Sequence, residues 1–104
     1  MDNNLCSIKT TLPFSWREFE VVSLAQDLLE NGAACVQHHK ITSTYKWDES
    51  VQSDNEWSLE IKVSNTNKVP VLEKLKLLHP YEVPQIICSE VTANDSYLQW
   101  VNSQ

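Results

Sequence analysis

The sequence predicts an α+β fold in which one antiparallel sheet carries two helices, with a short third helix near the C-terminal end. Segments with strand and helix patterns follow one another in the order β-α-β-β-α-β. The two middle strands are separated only by a polar turn at 48–50, which indicates an antiparallel hairpin. The length of 104 residues suits one domain, so we expect residues 1–104 to form a single unit.

The first strand and the first helix each have a local signal. Residues 5–11 are rich in β-prone side chains, and we expect this strand to end before Pro13. Ser15 and Glu18 stand three residues apart, as in a capping box, and predict a helix start. An apolar stripe at helical spacing follows, and Gly32, the only glycine of the chain, suits the left-handed residue that ends a helix.

The middle of the chain predicts two long strands. Residues 33–47 have a high content of β-branched and aromatic side chains, which favours one extended segment. After the turn, apolar residues alternate with polar ones from Trp57 to Val63, and this two-residue period is typical of a half-buried strand. The two segments are therefore predicted to pair as the hairpin.

The remaining elements complete a known arrangement. Pro70 is tolerated in the first turn of a helix, and the apolar positions after it predict a helix that runs to about His79. Residues 84–91 are almost continuously apolar and predict a buried strand, after which Asp95 caps the last helix. This order is the split βαβ, or ferredoxin-like, pattern, with two helices on one face of a four-stranded sheet. We expect the other face to be apolar and to be covered by further copies of the chain.

Composition limits the classes of partner. With 8 Lys and Arg against 14 Asp and Glu, the net charge of −6 opposes binding to a nucleic-acid backbone. No apolar stretch approaches the roughly 20 residues that are needed to cross a bilayer. Residues 1–4 lack the pattern of a secretory signal, and three widely spaced cysteines suit reduced thiols. We therefore expect a cytoplasmic protein without a nucleic-acid or membrane partner.

Two residues are candidate metal ligands, and each has an alternative role. Cys35 begins the long strand, where its thiolate could bind a soft cation such as Cu(I) or Zn(II), or it could be a small buried side chain. His79 could supply an imidazole ligand or could interact with the carbonyl end of the second predicted helix. His38 and His39 point to opposite faces of a strand and cannot share one metal; we expect them in a solvated turn or strand tip.

A second set of side chains predicts either a pocket or ordinary packing. Tyr45 and Trp47 are two residues apart on one predicted strand, and Glu56 and Lys62 are six apart on the next, so each pair shares a face. These groups could hold a small polar ligand or a hydrated cation. The alternative is cross-strand packing with one surface ion pair that contributes little. No Gly-x-Ser-x-Gly, His-Glu-x-x-His or phosphate-loop motif occurs, so we do not predict an enzyme.

Four segments together carry a resemblance to a known family. They are His-Pro-Tyr-Glu-Val-Pro at 79–84, Ala-Ala-Cys-Val at 33–36, Ser-Thr-Tyr-Lys-Trp at 43–47 and Asn-Asp-Ser-Tyr-Leu-Gln-Trp at 94–100. In this order they resemble the CutA family, the divalent-cation tolerance proteins. The resemblance implies a homotrimer in which long hairpins like 33–63 interlock. It also implies copper binding associated with Cys35, and clefts between subunits lined by Tyr45, Trp47, Lys62, Tyr81 and Glu82.

The expected function follows from this resemblance. We expect a homotrimer that binds copper or other divalent metal ions and contributes to the response to metal ions, although Gln85 replaces a glutamate that many members carry. The alternative is a trimeric small-ligand sensor or signalling scaffold that resembles the PII proteins and uses its intersubunit clefts. A third possibility is a purely structural trimer in which the four tryptophans are core and interface anchors.

Overall fold

A computed structural model describes residues 4–104, and it has the predicted order of elements. One antiparallel sheet has the strand order β2-β3-β1-β4. The elements are β1 (Asn4–Pro13), α1 (Glu18–Glu30), β2 (Cys35–Trp47), β3 (Ser50–Val63), α2 (Lys68–Leu78), β4 (Ile86–Thr92) and α3 (Asp95–Asn102). The predicted α+β, ferredoxin-like fold with a short last helix is confirmed. No helix between residues 4 and 104 has both the length and the apolar content to cross a bilayer.

The central strand β1 is longer than predicted, because it includes Pro13. Along β3 its pairing continues to Pro13 opposite Glu56, whereas along β4 it stops at Thr10 opposite Ile86. Beyond Thr10, β1 therefore has a neighbouring strand on one side only. A proline lacks the N–H that a central strand needs, but it is tolerated where one side of the strand has no neighbour.

The start of α1 differs from the prediction, and its end agrees with it. The N-cap is Arg17, not Ser15, and the Arg17 backbone N–H donates to the Glu20 carboxylate at 2.9 Å. Ser15 is instead inside a turn that is closed by a bond from the Trp16 N–H to the Pro13 carbonyl, at 3.0 Å. After the helix, Gly32 has a φ of +112°, the left-handed conformation that was predicted for it.

Strands β2 and β3 form one hairpin in unbroken register, from Cys35 opposite Lys62 to Trp47 opposite Ser50. The two turn residues Asp48 and Glu49 have φ values of 50° and 67°. A two-residue turn with positive φ at both positions matches the right-handed twist of the strands, so the hairpin needs no longer loop. Its outer part, residues 41–56, extends away from the helices and is called the arm below.

The two histidines 38 and 39 are in the middle of β2 and not in a turn or strand tip. That prediction is wrong because the strand continues without a break to Trp47. The imidazole of His38 is 2.9 Å from the Glu18 carboxylate, at the start of α1. His39 points to the other face, as the two-residue period requires.

The main core is between one face of the sheet and the helices α1 and α2. On β3 it takes every second residue, which confirms the alternation seen in the sequence. The fully or nearly buried apolar residues of this core are Cys6, Ile8, Leu12, Val21, Leu24, Leu28, Ala33, Trp57, Leu59, Ile61, Val63, Val71 and Leu75. A smaller cluster under α3 is on the opposite face of the sheet and contains Leu5, Ala34, Leu98 and Val101.

The face opposite α1 and α2 is mostly polar, so the prediction of an apolar face is wrong. Beyond the cluster under α3, β3 presents Ser58, Glu60 and Lys62 on this face, and β1 presents Ser7 and Lys9. The reason is the period of two: the apolar residues of the predicted strand point to the helices, so the polar residues between them point away.

Strand β4 is an edge strand that is largely exposed, although its apolar sequence predicts a buried one. It pairs with β1 on one side only, and the Ile87 side chain is 52% exposed. Only Ile86 and Val91 of this strand are partly buried. Hydrophobic sequence alone does not distinguish a strand buried within one chain from a strand at an open edge, because edge position is a property of the sheet.

Candidate ligand groove

An open groove of about 1220 Å³ separates the arm from the connection between α2 and β4. Five of the six side chains predicted to line a cleft contribute to its wall: Tyr45, Trp47, Glu56, Tyr81 and Glu82. The arm provides one side of the groove and residues 81–85 provide the other. We call this space the groove.

The hairpin register explains how the arm contributes its side chains. Tyr45 is opposite Gln52, and Ser43 is opposite Asp54, so these residues share the sheet face that points away from α1 and α2. The hydroxyl group of Tyr45 donates to the Asp54 carboxylate at 2.5 Å. Asp54 was missed by the sequence analysis, although its position two residues before Glu56 places both carboxylates on the same face.

The second wall depends on the proline after His79. Pro80 disfavours helical geometry in the preceding residue, and His79 accordingly has an extended conformation with φ −69° and ψ 130°. The chain leaves α2 and brings Tyr81 back to the arm. The hydroxyl group of Tyr81 donates to the Glu56 carboxylate at 2.6 Å, which ties the connection to β3.

Both ring nitrogens of His79 have hydrogen-bond partners. Nδ1 accepts from the backbone N–H of Tyr81 at 3.2 Å, so Nε2 carries the proton and donates to the Thr10 hydroxyl at 2.9 Å. Burial lowers the pKa of His79, which keeps the ring neutral. A metal ion could bind this ring only after one of these two bonds is broken.

The phenols of the groove remain protonated. Burial, followed by the hydrogen bond to Glu56, raises the pKa of Tyr81 well above its usual value. The hydrogen bond to Asp54 raises the pKa of Tyr45. In both cases the phenol donates to a carboxylate, so loss of its proton would bring two negative charges together. Each tyrosine therefore orients one carboxylate at the groove wall.

The charges of the groove wall are all negative. Its ionisable carboxylates are Asp54, Glu56 and Glu82, and no Lys, Arg or His side chain of residues 4–104 is part of the wall. Carboxylate and amide oxygens are ligands for hard cations, and such a wall repels phosphate and carboxylate groups. The negative charge of the groove therefore attracts a cation or an amine, although its carboxylates are not arranged to hold a metal ion by themselves within residues 4–104. The rings of Tyr45 and Trp47 offer stacking surfaces.

Lys62 is not at the groove, unlike the other predicted cleft residues. It is opposite Cys35, near the end of the hairpin that is far from the turn. Its ammonium group donates to the Gln37 amide oxygen at 3.0 Å and is 3.4 Å from the Glu60 carboxylate. Glu60 also accepts from the Ser7 hydroxyl at 2.8 Å, and this bond lowers its pKa.

The two predicted metal ligands are not together in this chain. Cys35 is half-buried on the face that carries α3. Burial, followed by the nearby Cys35 thiol, raises the pKa of Tyr97 on that helix. His79 instead bonds Thr10, which points to the face of α1 and α2. Within residues 4–104, no three His, Cys, Asp or Glu side chains are arranged to hold a metal ion. Each of the two residues would need further ligands.

Similar proteins have the same fold and overlapping sequence. The chain is 39% identical over 72 residues to a probable divalent-cation tolerance protein cutA homolog of Encephalitozoon cuniculi, covering 68% of this chain and 63% of that protein. It is 37% identical over 83 residues to the chloroplastic protein CutA of Arabidopsis thaliana, covering 78% of this chain and 44% of that one. The chain thus spans less than two thirds of the length of both relatives.

A solved structure agrees over nearly the whole chain. The crystal structure of the divalent ion tolerance protein CutA1 from Ehrlichia chaffeensis matches with a TM-score of 0.86 at 30% identity, covering 99% of this chain and 96% of that one. The family model of the CutA1 divalent ion tolerance proteins matches residues 10–104. Because the family model covers residues 10–104 and the fold agrees with a solved member, the chain belongs to the CutA1 divalent ion tolerance family.

Proposed function

We propose that this protein is a homotrimeric divalent-cation tolerance protein, which binds copper or other divalent metal ions and contributes to the response to metal ions. Membership of the CutA1 family supports the general role. The observation that carries the proposal for this chain is the wall of the groove, where the charged side chains of residues 4–104 are all carboxylates. These carboxylates do not form a metal site within one chain, so ligands from another subunit would complete it. We do not propose a catalytic step.

The exposure of the arm supports the trimer. Trp47 is 59% exposed and Val51 is 69% exposed near the end of the hairpin, and the chain measures 47 × 25 × 21 Å because the arm projects. Large apolar side chains at the end of a projecting hairpin are typical of an interface. In a trimer, neighbouring subunits would cover these side chains and would close the open side of the groove. Cys35 or His79 could then receive further metal ligands from another subunit.

Native mass spectrometry tests both parts of the proposal in one titration. The protein is measured without metal and then with Cu(II) or Zn(II), and we expect a trimer that takes up metal in stoichiometric steps. The variant Glu56→Gln should lose metal uptake if the groove is the site, and Cys35→Ser should lose it if the thiol is a ligand. A trimer that stays free of both metals would overturn the metal-binding part.

A charged arm variant tests the assembly separately. Trp47→Glu places a charge at the end of the hairpin, and we expect it to dissociate the trimer while the circular dichroism of the fold is retained. Leu77→Glu replaces an exposed apolar side chain on α2 by the same charge, outside the arm and the groove, and is the matched control. Sedimentation that gives the same mass for Trp47→Glu and the wild type would exclude the arm as the trimer interface.

The exposed rings of Tyr45 and Trp47 also favour a second candidate, a small-ligand sensor that resembles the PII proteins. Aromatic rings stack on planar ligands, but the acidic wall disfavours nucleotide phosphates. The acidic groove therefore suits a flat cationic or neutral ligand better than a nucleotide. Thermal shift measurements with ATP and with a planar amine such as adenine distinguish them, since only the second is expected to raise the melting temperature.

We also propose a cytoplasmic location without a nucleic-acid partner. The net charge of −6 opposes binding to phosphate backbones, and the three cysteines are all free thiols in the fold. Cell fractionation with a tagged chain tests the location, and recovery in a secreted or organellar fraction would contradict it.

A further inference from the structure

Cys6 and Cys88 are close together on neighbouring strands, away from the groove. Cys6 of β1 is directly opposite Glu90 of β4, and Cys88 is directly opposite Ile8. Both cysteines therefore point to the sheet face of α1 and α2, and they are diagonal neighbours across the two strands. Cys6 is fully buried, whereas Cys88 is exposed at the edge of the sheet.

The two thiol groups are close enough to affect each other. Burial, followed by the nearby Cys88 thiol, raises the pKa of Cys6. The positive charge of Lys68, the first residue of α2, acts in the opposite direction. One exposed sulfur and one buried sulfur are thus neighbours, with a cation nearby that can offset negative charge.

The spacing of the strands favours a bridging cation over a disulfide. Diagonal neighbours in an antiparallel pair have Cα atoms roughly 7–8 Å apart. A disulfide rarely spans more than about 6.8 Å between Cα atoms, so its formation here would require the two strands to move. A metal ion between two sulfur atoms bridges a wider gap than one S–S bond does.

The number and type of ligands select the cation. Zn²⁺ in structural sites takes four ligands, and Ca²⁺ and Mg²⁺ take oxygen atoms. In residues 4–104, no third His, Cys, Asp or Glu joins the two thiols in an arrangement suited to metal binding. Soft thiolates select Cu(I). We propose that Cys6 and Cys88 form a two-thiolate site for Cu(I).

Binding of Cu(I) to the two thiols involves no change of oxidation state. Two S–H bonds break, two Cu–S bonds form, and two protons are released to solvent. The product carries one net negative charge, which Lys68 offsets. This site does not include Cys35, which is on the opposite face of the sheet. A role of the site in metal tolerance rests on the proposed function, but the binding itself does not.

The test uses the full chain with the change Cys35→Ser, called the background protein, which is kept fully reduced and free of oxygen. Cu(I) is titrated against a competing Cu(I) chelator, and proton release is recorded in weak buffer. We expect one Cu(I) per chain and two protons released per ion. Adding Cys88→Ser should weaken the affinity at least about 100-fold, because two ligands held on one scaffold bind far more tightly than one.

Cys88 is exposed, so Cys88→Ser should fold even if a change at buried Cys6 does not. Unchanged Cu(I) affinity in Cys88→Ser would overturn the two-thiolate site, and so would a background protein that binds no Cu(I). The proposed function is tested independently by Cu(II) and Zn(II) uptake in the protein with Cys35 intact. A result in one experiment therefore does not decide the other.

Discussion

The two halves of β3 have opposite environments, although they belong to one strand of one hairpin. In the inner half, Trp57, Leu59, Ile61 and Val63 are at most 5% exposed under α1 and α2. In the outer half, residues 50–55 are all exposed. The inner half finds its packing partners within the chain. The outer half does not, and this is where the groove and the exposed aromatic rings are.

Different interactions maintain the two regions. The inner half is stabilised by buried apolar area, which is a large term for each side chain. The arm relies on the hydrogen-bond ladder of the hairpin and on polar cross-strand pairs such as Thr44 with Ser53, at 2.7 Å. Such exposed pairs contribute little individually. The part of the chain outside the arm, called the body below, is therefore stabilised by packing within the chain, whereas the side chains of the arm are left exposed for contact with another molecule.

The largest expected difference between the two regions is in stability. Leu59→Ala removes a fully buried side chain and should lower the free energy of unfolding by about 2–5 kcal/mol. Val51→Ala in the exposed arm is the matched control and should change it far less at a protein concentration where the assembly is dissociated. Urea unfolding measures both, and equal losses would contradict the division into body and arm.

The next effect concerns the tie between the body and the arm. Tyr81→Phe removes the hydroxyl group that donates to Glu56, and we expect a loss of about 1–2 kcal/mol because the carboxylate loses its partner. Tyr45→Phe removes a bond of the same type at an exposed position and should have little effect on stability. If both variants gave the same free energy of unfolding, the partial burial of Tyr81 would not strengthen its hydrogen bond to Glu56.

Removing a carboxylate from the groove should change the affinity for a metal ion more than it changes the stability of the fold. Asp54→Asn should weaken Cu(II) binding by about 10-fold or more, since it removes one of three carboxylates from the wall. Glu73→Gln on α2 removes the same charge at an exposed position outside the groove and should leave affinity unchanged. Isothermal titration compares them, and equal affinities in the two variants would locate the metal elsewhere.

The smallest expected effect is a pH dependence from His79. Its pKa is lowered in the folded chain, so below about pH 6.5 the unfolded state binds a proton that the folded state does not. Stability from this group is complete above that pH and falls as the pH decreases. The slope cannot exceed about 1.4 kcal/mol per pH unit, because one imidazole exchanges at most one proton, and it should be smaller because His79 is only half-buried and solvent screens its charge.

Unfolding at pH 7.5 and pH 5.5 measures this slope. His79→Gln should make the two free energies more similar, whereas His39→Gln, an exposed histidine on β2, should not. If both variants keep the slope of the wild type, another group causes the acid sensitivity.

Much of the candidate site could be predicted from local sequence. The period of two put Tyr45 with Trp47 on one face, and the proline after His79 predicted the exit from α2. Lys62 shows the limit of that argument. Two side chains on the same face of a strand need not be close, and the six residues from Glu56 to Lys62 span about 20 Å along β3.

By itself, the sequence determined the order of the elements, the hairpin and the face of β3 that is buried, because these depend on near neighbours along the chain. Only the tertiary structure decided that β4 is an open edge and that Cys35 and His79 are apart. These properties depend on which strands become neighbours. Strand order brings together residues such as Cys6 and Cys88, which no local pattern relates.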